Sequence, residues 1–334
     1  MSKYICLKKN SIILGITASL VIGFFTVIQV ILDLQNIYGL FAALGCFVVA
    51  LHQVSIRNHS IKFRLYAGTL FIFCMSIAIS LGSYYSHDLI TSSLILLGFS
   101  FLIGYTAKSD LVFANGILFI VDMYVIGIGF NADATDSILI GLFTLIGALA
   151  FIIFLVFILK KISIKDAFDD NYRSIRILPD IDSTIYAISL SLGLIIGNFI
   201  SIYFDIEIGY WIPMTVLLIF KPDVIRSSTA IKHRLIGTII GSLFAIPLAI
   251  YLSNAYIIWM ILLITTFFTI CCIIKHYGSY VFFLTIFIAM LLKLAHLSGY
   301  EISLSRLIYT VIGIVIVATI IILSKNIRTI LKRI

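Results

Sequence analysis

Long apolar runs follow one another along almost the whole chain, broken only by short polar stretches. A helix crossing the hydrocarbon core of a bilayer needs about 20 apolar residues. Twelve runs qualify, at approximately 11–32, 38–56, 65–83, 88–106, 111–130, 138–159, 184–204, 208–221, 235–252, 256–274, 280–297 and 304–324. Backbone groups in lipid must be satisfied within their own segment, and continuous apolar runs lack the alternation of a membrane barrel, so the runs predict helices. The expected fold is all-α, a polytopic membrane bundle of about twelve transmembrane helices. The first run follows Lys3, Lys8 and Lys9, exceeds the apolar region of a signal peptide and is not followed by an A-x-A site, so it reads as a retained first helix.

Composition strengthens this picture. The chain is 62% hydrophobic and only 11% charged, whereas soluble domains carry roughly 25% charged residues. The formal net charge of +8 does not indicate nucleic acid, because the charges sit between apolar segments as basic loops do. With a cytoplasmic N-terminus, every Lys and Arg except Lys293 and Arg306 falls in an inside segment, while the outside loops hold Asp33, Asp88, Asp133, Asp136, Asp205, Glu207 and Glu301. A one-span error would scramble that separation. The expectation is a multi-pass protein of a bacterial-type plasma (inner) membrane with both termini cytoplasmic and the lipid bilayer as its solvent. Cys6, Cys46, Cys74, Cys271 and Cys272 have neither metal-ligand spacing nor a disulfide framework, so no metal and no cofactor is expected.

A hydrophilic linker, Lys160 to Ser183, divides the spans into two sixes. Leu20-Val21-Ile22-Gly23 recurs as Leu194-Ile195-Ile196-Gly197, and Tyr38 opens the second span as Tyr210 opens the eighth. Lys62-Phe63-Arg64-Leu65 recurs as Lys232-His233-Arg234-Leu235, and Gly68-Thr69 as Gly237-Thr238. The matches keep sequence order and topological place. The expected organisation is a first six-helix repeat (1–160), a linker (161–183) that is too short for a catalytic domain, and a second six-helix repeat (184–334). An even number of spans makes the repeats parallel, an arrangement that in transporters places substrate near the midplane between them.

The second repeat carries the most specific pattern: Gly209-Tyr210-Trp211-Ile212-Pro213-Met214-Thr215, then Lys221-Pro222-Asp223, then Arg234-Leu235-Ile236-Gly237-Thr238-Ile239-Ile240-Gly241. These residues resemble the fusaric acid resistance family, most sharply over 208–250 and more faintly in the first repeat. That resemblance implies a membrane protein exporting aromatic and other organic acids, and the membrane part of plant malate channels is similar. A large cytoplasmic domain found in many bacterial relatives is not among these 334 residues. Physically, Tyr210 and Trp211 suit the outer interface, Pro213 is tolerated early in a helix, and Pro222 ends a short eighth span of about fourteen residues. Such a span can leave helix ends inside the protein, facing a charged solute. Gly193 with Gly197, and Gly237 with Gly241, have the G-x-x-x-G spacing that permits close helix packing.

Charges inside spans are the remaining candidates. Asp122 lies eleven residues after Leu111, about 16 Å into a core roughly 30 Å thick. Lys293 lies in the eleventh span with His296 at i+3 on the same face. Asp122, Lys293 and His296 either line a solute pathway, or Asp122 is a structural acid and Lys293 snorkels to the surface. Lys221, Asp223, Arg226 and Arg234 form a charged inner mouth that either concentrates organic anions or sets topology and meets anionic lipid. Asn198 and Gln29 are polar mid-span residues suited to bonds between helices.

No P-loop, H-E-x-x-H or Asp-rich diphosphate motif is found, so neither an enzyme nor a chain with its own ATPase is expected. The reading is a transporter that exports small organic anions. The alternatives are a passive organic-anion channel, a membrane-embedded enzyme, or an envelope-assembly scaffold. Analogy alone points to a homodimer.

Overall fold

The computed structural model describes residues 9–31, 38–57, 59–107, 111–162, 180–206, 208–273, 276–295 and 299–331. Among them are twelve α-helices and no strand: α1 (Lys9–Ile31), α2 (Tyr38–Ser55), α3 (Ile61–Tyr84), α4 (Leu89–Thr106), α5 (Leu111–Ile128), α6 (Ala134–Ile162), α7 (Ile181–Tyr203), α8 (Trp211–Ile219), α9 (Val224–Tyr251), α10 (Ala255–Cys272), α11 (Tyr277–Leu294) and α12 (Gly299–Leu331). Ten are long and apolar enough to cross a membrane, and α5 contributes a shorter apolar stretch, Phe113–Ile128. The chain is a multi-pass helical membrane protein. The central part of the linker, 163–179, lies outside the described residues.

Two helices depart from the expected spans. The eighth is nine residues long, about 14 Å at 1.5 Å per residue, roughly half of a hydrocarbon core. Gly209 and Tyr210 belong to the preceding turn, and Phe220 turns extended (ψ 113°) ahead of Pro222. The ninth begins at Val224, well before Leu235, because the basic stretch Arg226–Arg234 is helical and continues into the apolar run.

The helices gather into two compact units, neither of which coincides with a sequence half. Unit 1 contains α1, α2, α3 to Ser76, α6 from Leu139, α9 from Ile236, α10, α11 and α12 to Leu304. Unit 2 contains α3 from Ile77, α4, α5, the start of α6, α7, α8, α9 to Leu235 and α12 from Ser305. In unit 1, α1 packs on α2 and α10, and α10 on α11; the rings of Phe47 (α2) and Phe287 (α11) stack at 4.6 Å. In unit 2, α7 packs on α8 and α4, α4 on α5, and α5 on α8. Shifting each helix number by six turns one set of pairings into the other. Each unit is therefore assembled from two whole helices and parts of two more from each half, in corresponding places.

Small residues set the close approaches. In unit 1, a Cβ on Gly23 would lie 2.8 Å from a Leu263 methyl, and Ser19 and Trp259 donate to the carbonyls of Leu263 and Gly23. In unit 2, a Cβ on Gly104 would lie 2.6 Å from the Ala187 methyl. Asn198 donates to Ser92 Oγ at 2.9 Å, tying α7 to α4. Lipid offers no hydrophobic drive between helices, so contacts of this kind carry association.

Candidate functional site

The short helix α8 organises a buried polar cluster in unit 2. Its C-terminal end is fastened to two other helices. Tyr186 of α7 donates to the Phe220 carbonyl at 3.2 Å and stacks on the Phe220 ring. Ser227 of α9 accepts from the Lys221 amide at 2.8 Å and donates to its carbonyl at 3.1 Å. The helix therefore stops inside the unit with its closing turn satisfied, as buried backbone requires. On one side α7 comes close: a Cβ on Gly197 would sit 3.1 Å from Pro213 Cα. On another side α12 does the same, since a Cβ on Gly313 would lie 2.8 Å from Thr215 Cβ.

One and two turns before Gly313, α12 carries Thr310 and Arg306 on the same stripe. The Arg306 guanidinium lies 4.5 Å from the centre of the Trp211 ring. Arg306 is 1% exposed and Trp211 3%. Arg234 of α9 is likewise fully buried, at 0% exposure. Asp122 of α5 is 7% exposed, and both Arg234 and Arg306 act on it electrostatically. Among the described residues, Arg234 Nε, Nη1 and Nη2, Asp122 Oδ1, Trp211 Nε1, Thr215 Oγ1 and Thr310 Oγ1 are buried without a hydrogen-bond partner. Arg234 forms no ion pair with Asp122 either. Buried polar groups are nearly always satisfied, and an isolated buried charge is far more costly still. The Arg234 guanidinium, with no acceptor among the described residues, suits a negatively charged ligand.

Next to this cluster a cavity of about 530 Å³ opens, lined in part by Ser86, His87, Asn131, Ser201 and Asp205. Gly129 and Gly209 also line it. A Cβ on Gly129 would overlap the ring of Tyr210, which packs 5.0 Å from Trp211. The α7–α8 turn holds two non-glycine residues in the left-handed region, Asp205 (φ 44°) and Ile208 (φ 63°). For a β-branched residue this conformation costs about 1–3 kcal/mol and is tolerated where the surroundings impose it.

The residues expected from sequence divide between the units. Asp122, Trp211, Pro213 and Arg234 meet in the unit 2 cluster. Asp122 comes from the first sequence half and the others from the second. Lys221, Asp223 and Arg226 lie at the α8–α9 turn of the same unit, where Asp223 and Arg226 are exposed. Lys293 belongs to unit 1, where its Nζ donates to the Ala249 carbonyl; His296 lies outside the described residues. Tyr210 and Trp211, suited by type to an interface, are instead covered by protein. Gly193 packs against Val216 and Ile320, Gly237 against Gly278 and Val281, and Gly241 against Thr285. Sequence reasoning quoted Thr215 only as the last residue of the Gly209–Thr215 motif, did not single out Thr310, and set Arg306 aside as an unplaced cation. Its position inside an apolar run was the available signal. Among the described residues no three His, Cys, Asp or Glu side chains gather as a metal site.

Comparison with known proteins places residues 192–320 in a match to the family described as fusaric acid resistance protein-like. The Escherichia coli (strain K12) protein YhfK is 29% identical over 166 residues, 47% of this chain and 24% of YhfK. The Inner membrane protein YccS of the same organism is 28% identical over 128 residues, 38% of this chain and 18% of YccS. The protein ORF2 of Neisseria gonorrhoeae is 25% identical over 150 residues, 44% of this chain and 36% of ORF2. The chain thus spans well under half the length of these relatives. No solved structure matches.

Proposed function

Since residues 192–320 match the family described as fusaric acid resistance protein-like, we propose that the chain is a transporter that exports small organic anions across the plasma membrane. The observation that carries this reading is the fully buried guanidinium of Arg234, none of whose nitrogens meets an acceptor among the described residues. A guanidinium presents a planar fork matched to a carboxylate, and a buried cation makes that match strong. The Trp211 ring beneath Arg306 adds a flat apolar wall for the body of the ligand.

Transport also needs a way out, and the 530 Å³ cavity beside Tyr210 supplies a polar vestibule. In the topology set by the charge separation, with both termini inside, this vestibule faces outward and the α8–α9 turn faces the cytoplasm. Lys221, Arg226 and Lys232 then collect anions at the inner mouth. Asp122, on which both guanidiniums act, competes with the substrate and returns when the substrate leaves.

The test is flux of carboxylates from liposomes holding the purified protein under an imposed pH gradient. Saturable movement driven by the gradient is expected. Ungated electrophoretic flux instead identifies a channel. Absence of flux with every organic anion tried contradicts transport and turns attention to an enzyme or a scaffold.

A further inference from the structure

Threonine hydroxyls buried in these helices follow a rule. Thr17 donates to the carbonyl of Ile13, Thr26 to Ile22, Thr144 to Ile140, Thr266 to Leu262 and Thr285 to Val281, each one turn back and at 2.7 or 2.8 Å. A helical threonine divides between two rotamers, and this one uses the hydroxyl on its own backbone. It satisfies the group without help from another helix, as a bilayer core with no water favours. Among the described residues three buried threonines break the rule. Thr215, Thr238 and Thr310 are 0% exposed, and the hydroxyl of each meets no partner. Thr238 belongs to unit 1, Thr215 and Thr310 to unit 2.

The unit 2 pair lies on one seam between α8 and α12. The Arg306 guanidinium stands 4.5 Å from the centre of the Trp211 ring. Further along both helices, a Cβ on Gly313 would lie 2.8 Å from Thr215 Cβ and 2.9 Å from its methyl carbon. The contacts rise together in number, so the two helices run in the same direction. Thr215 follows Trp211 by one turn. Thr310 follows Arg306 by one turn and precedes Gly313 by another, so it falls between the two contacts. Gly313 packs on the Cβ and methyl of Thr215, which turns the hydroxyl off that contact and holds it there. The indole N–H of Trp211 is without an acceptor as well. Asp122, on which both Arg306 and Arg234 act, links this seam to the Arg234 guanidinium, whose nitrogens also meet no acceptor.

We infer that Thr215 and Thr310 are ligand-binding residues of the anion site, and that their hydroxyls donate to the carboxylate held by Arg234. A carboxylate has about four lone-pair positions. A guanidinium fork fills two of them, and the hydroxyls fill others. Donors already turned from their own helix and fixed by packing need no rearrangement when the anion arrives. In the empty site such hydroxyls are a cost to the fold, because buried polar groups are otherwise satisfied. Deleting one therefore weakens the ligand without weakening the protein, the reverse of what deleting a structural threonine does.

This inference rests on the transporter reading, and the experiment separates the two. The full chain in detergent is titrated calorimetrically with sodium benzoate, and its thermal midpoint is measured without ligand. Thr215→Val and Thr310→Val keep the shape of the side chain and delete the hydroxyl. Each is expected to weaken benzoate by about tenfold, as losing a hydrogen bond to a charged group does, with the ligand-free midpoint unchanged or raised. Thr215→Ser, which keeps the hydroxyl, is expected to retain most of the affinity. Thr144→Val, whose hydroxyl serves its own helix, is expected to leave affinity unchanged. Unchanged affinity in either valine variant overturns the inference. So does equal weakening by Thr215→Val and Thr215→Ser, or weakening accompanied by a lowered midpoint. In each of these cases the transporter reading stands if Arg234→Lys still weakens benzoate. If Thr215→Val does not yield folded protein, Thr310→Val decides alone. An unaltered chain that binds no benzoate contradicts both the inference and the reading beneath it.

Discussion

The guanidinium of Arg306 lies 4.5 Å over the ring of Trp211, and both side chains are almost completely buried in a membrane protein. A desolvated cation–π contact contributes about 2 kcal/mol, and it fixes Arg306 in the plane where a carboxylate would meet it. Trp211→Leu is therefore expected to weaken organic-anion binding by roughly tenfold, the equivalent of 1.4 kcal/mol. Trp211→Phe, which keeps a ring, loses less. Because the chain has two tryptophans, a Trp259→Phe background makes Trp211 the sole fluorophore. Quenching on addition of benzoate checks its place in the site. Fluorescence indifferent to saturating anion would remove Trp211 from the account.

Asp122 supplies the opposite test. As the internal carboxylate acting on Arg234 and Arg306, it competes with any incoming anion. Asp122→Asn is expected to tighten equilibrium binding several-fold and to slow gradient-driven movement, since the returning competitor is gone. Binding and coupled flux both unchanged would make Asp122 a purely structural acid.

Gly197 tests how α7 and α8 are held together. A Cβ there would stand 3.1 Å from the backbone of Pro213, so a larger side chain must push the short helix away. Gly197→Leu is expected to lower stability in detergent by about 1–3 kcal/mol, the usual range for overpacking. Gly98 is the internal control, because a Cβ there meets nothing within 4 Å. Gly98→Ala is expected not to lower the thermal midpoint, since alanine favours a helix over glycine. Equal losses for the two variants would contradict the packing described.

Asn198 joins α7 to α4 through Ser92 at 2.9 Å. Hydrogen bonds between membrane helices average about 0.6 kcal/mol and reach about 1.7. Asn198→Leu is expected to cost within that range in a chemical unfolding titration and to leave anion affinity unchanged. A loss of affinity greater than the loss of stability would place Asn198 in the site.

Helix existence was legible because lipid forces continuous apolar runs, and the boundaries of most of the twelve lie within a few residues of the runs. The exceptions have physical causes. The eighth run is apolar through Gly209 and Tyr210, but those residues form the turn that delivers Trp211 to the interior. Arg226, Lys232 and Arg234 looked like a loop because charge breaks hydropathy; helical backbone tolerates charge, so α9 starts at Val224. Short matches such as Lys62-Phe63-Arg64-Leu65 pointed to two halves, but the distribution of helices from both halves across each unit was not legible, because pairing between distant helices leaves no local mark. For the same reason Asp122 and Arg234 were each visible as candidates, while their meeting was not. Arg306 stood out only as a cation without a place in the topology.

The most direct measurement of the central claim is benzoate flux in proteoliposomes carrying either the unaltered chain or Arg234→Gln. A charge-assisted hydrogen bond contributes about 1.5–3 kcal/mol, so flux at subsaturating benzoate should fall by roughly ten- to a hundredfold, with the variant still folded by circular dichroism. Flux that survives Arg234→Gln undiminished would contradict the claim that the buried guanidiniums of unit 2 bind the transported anion.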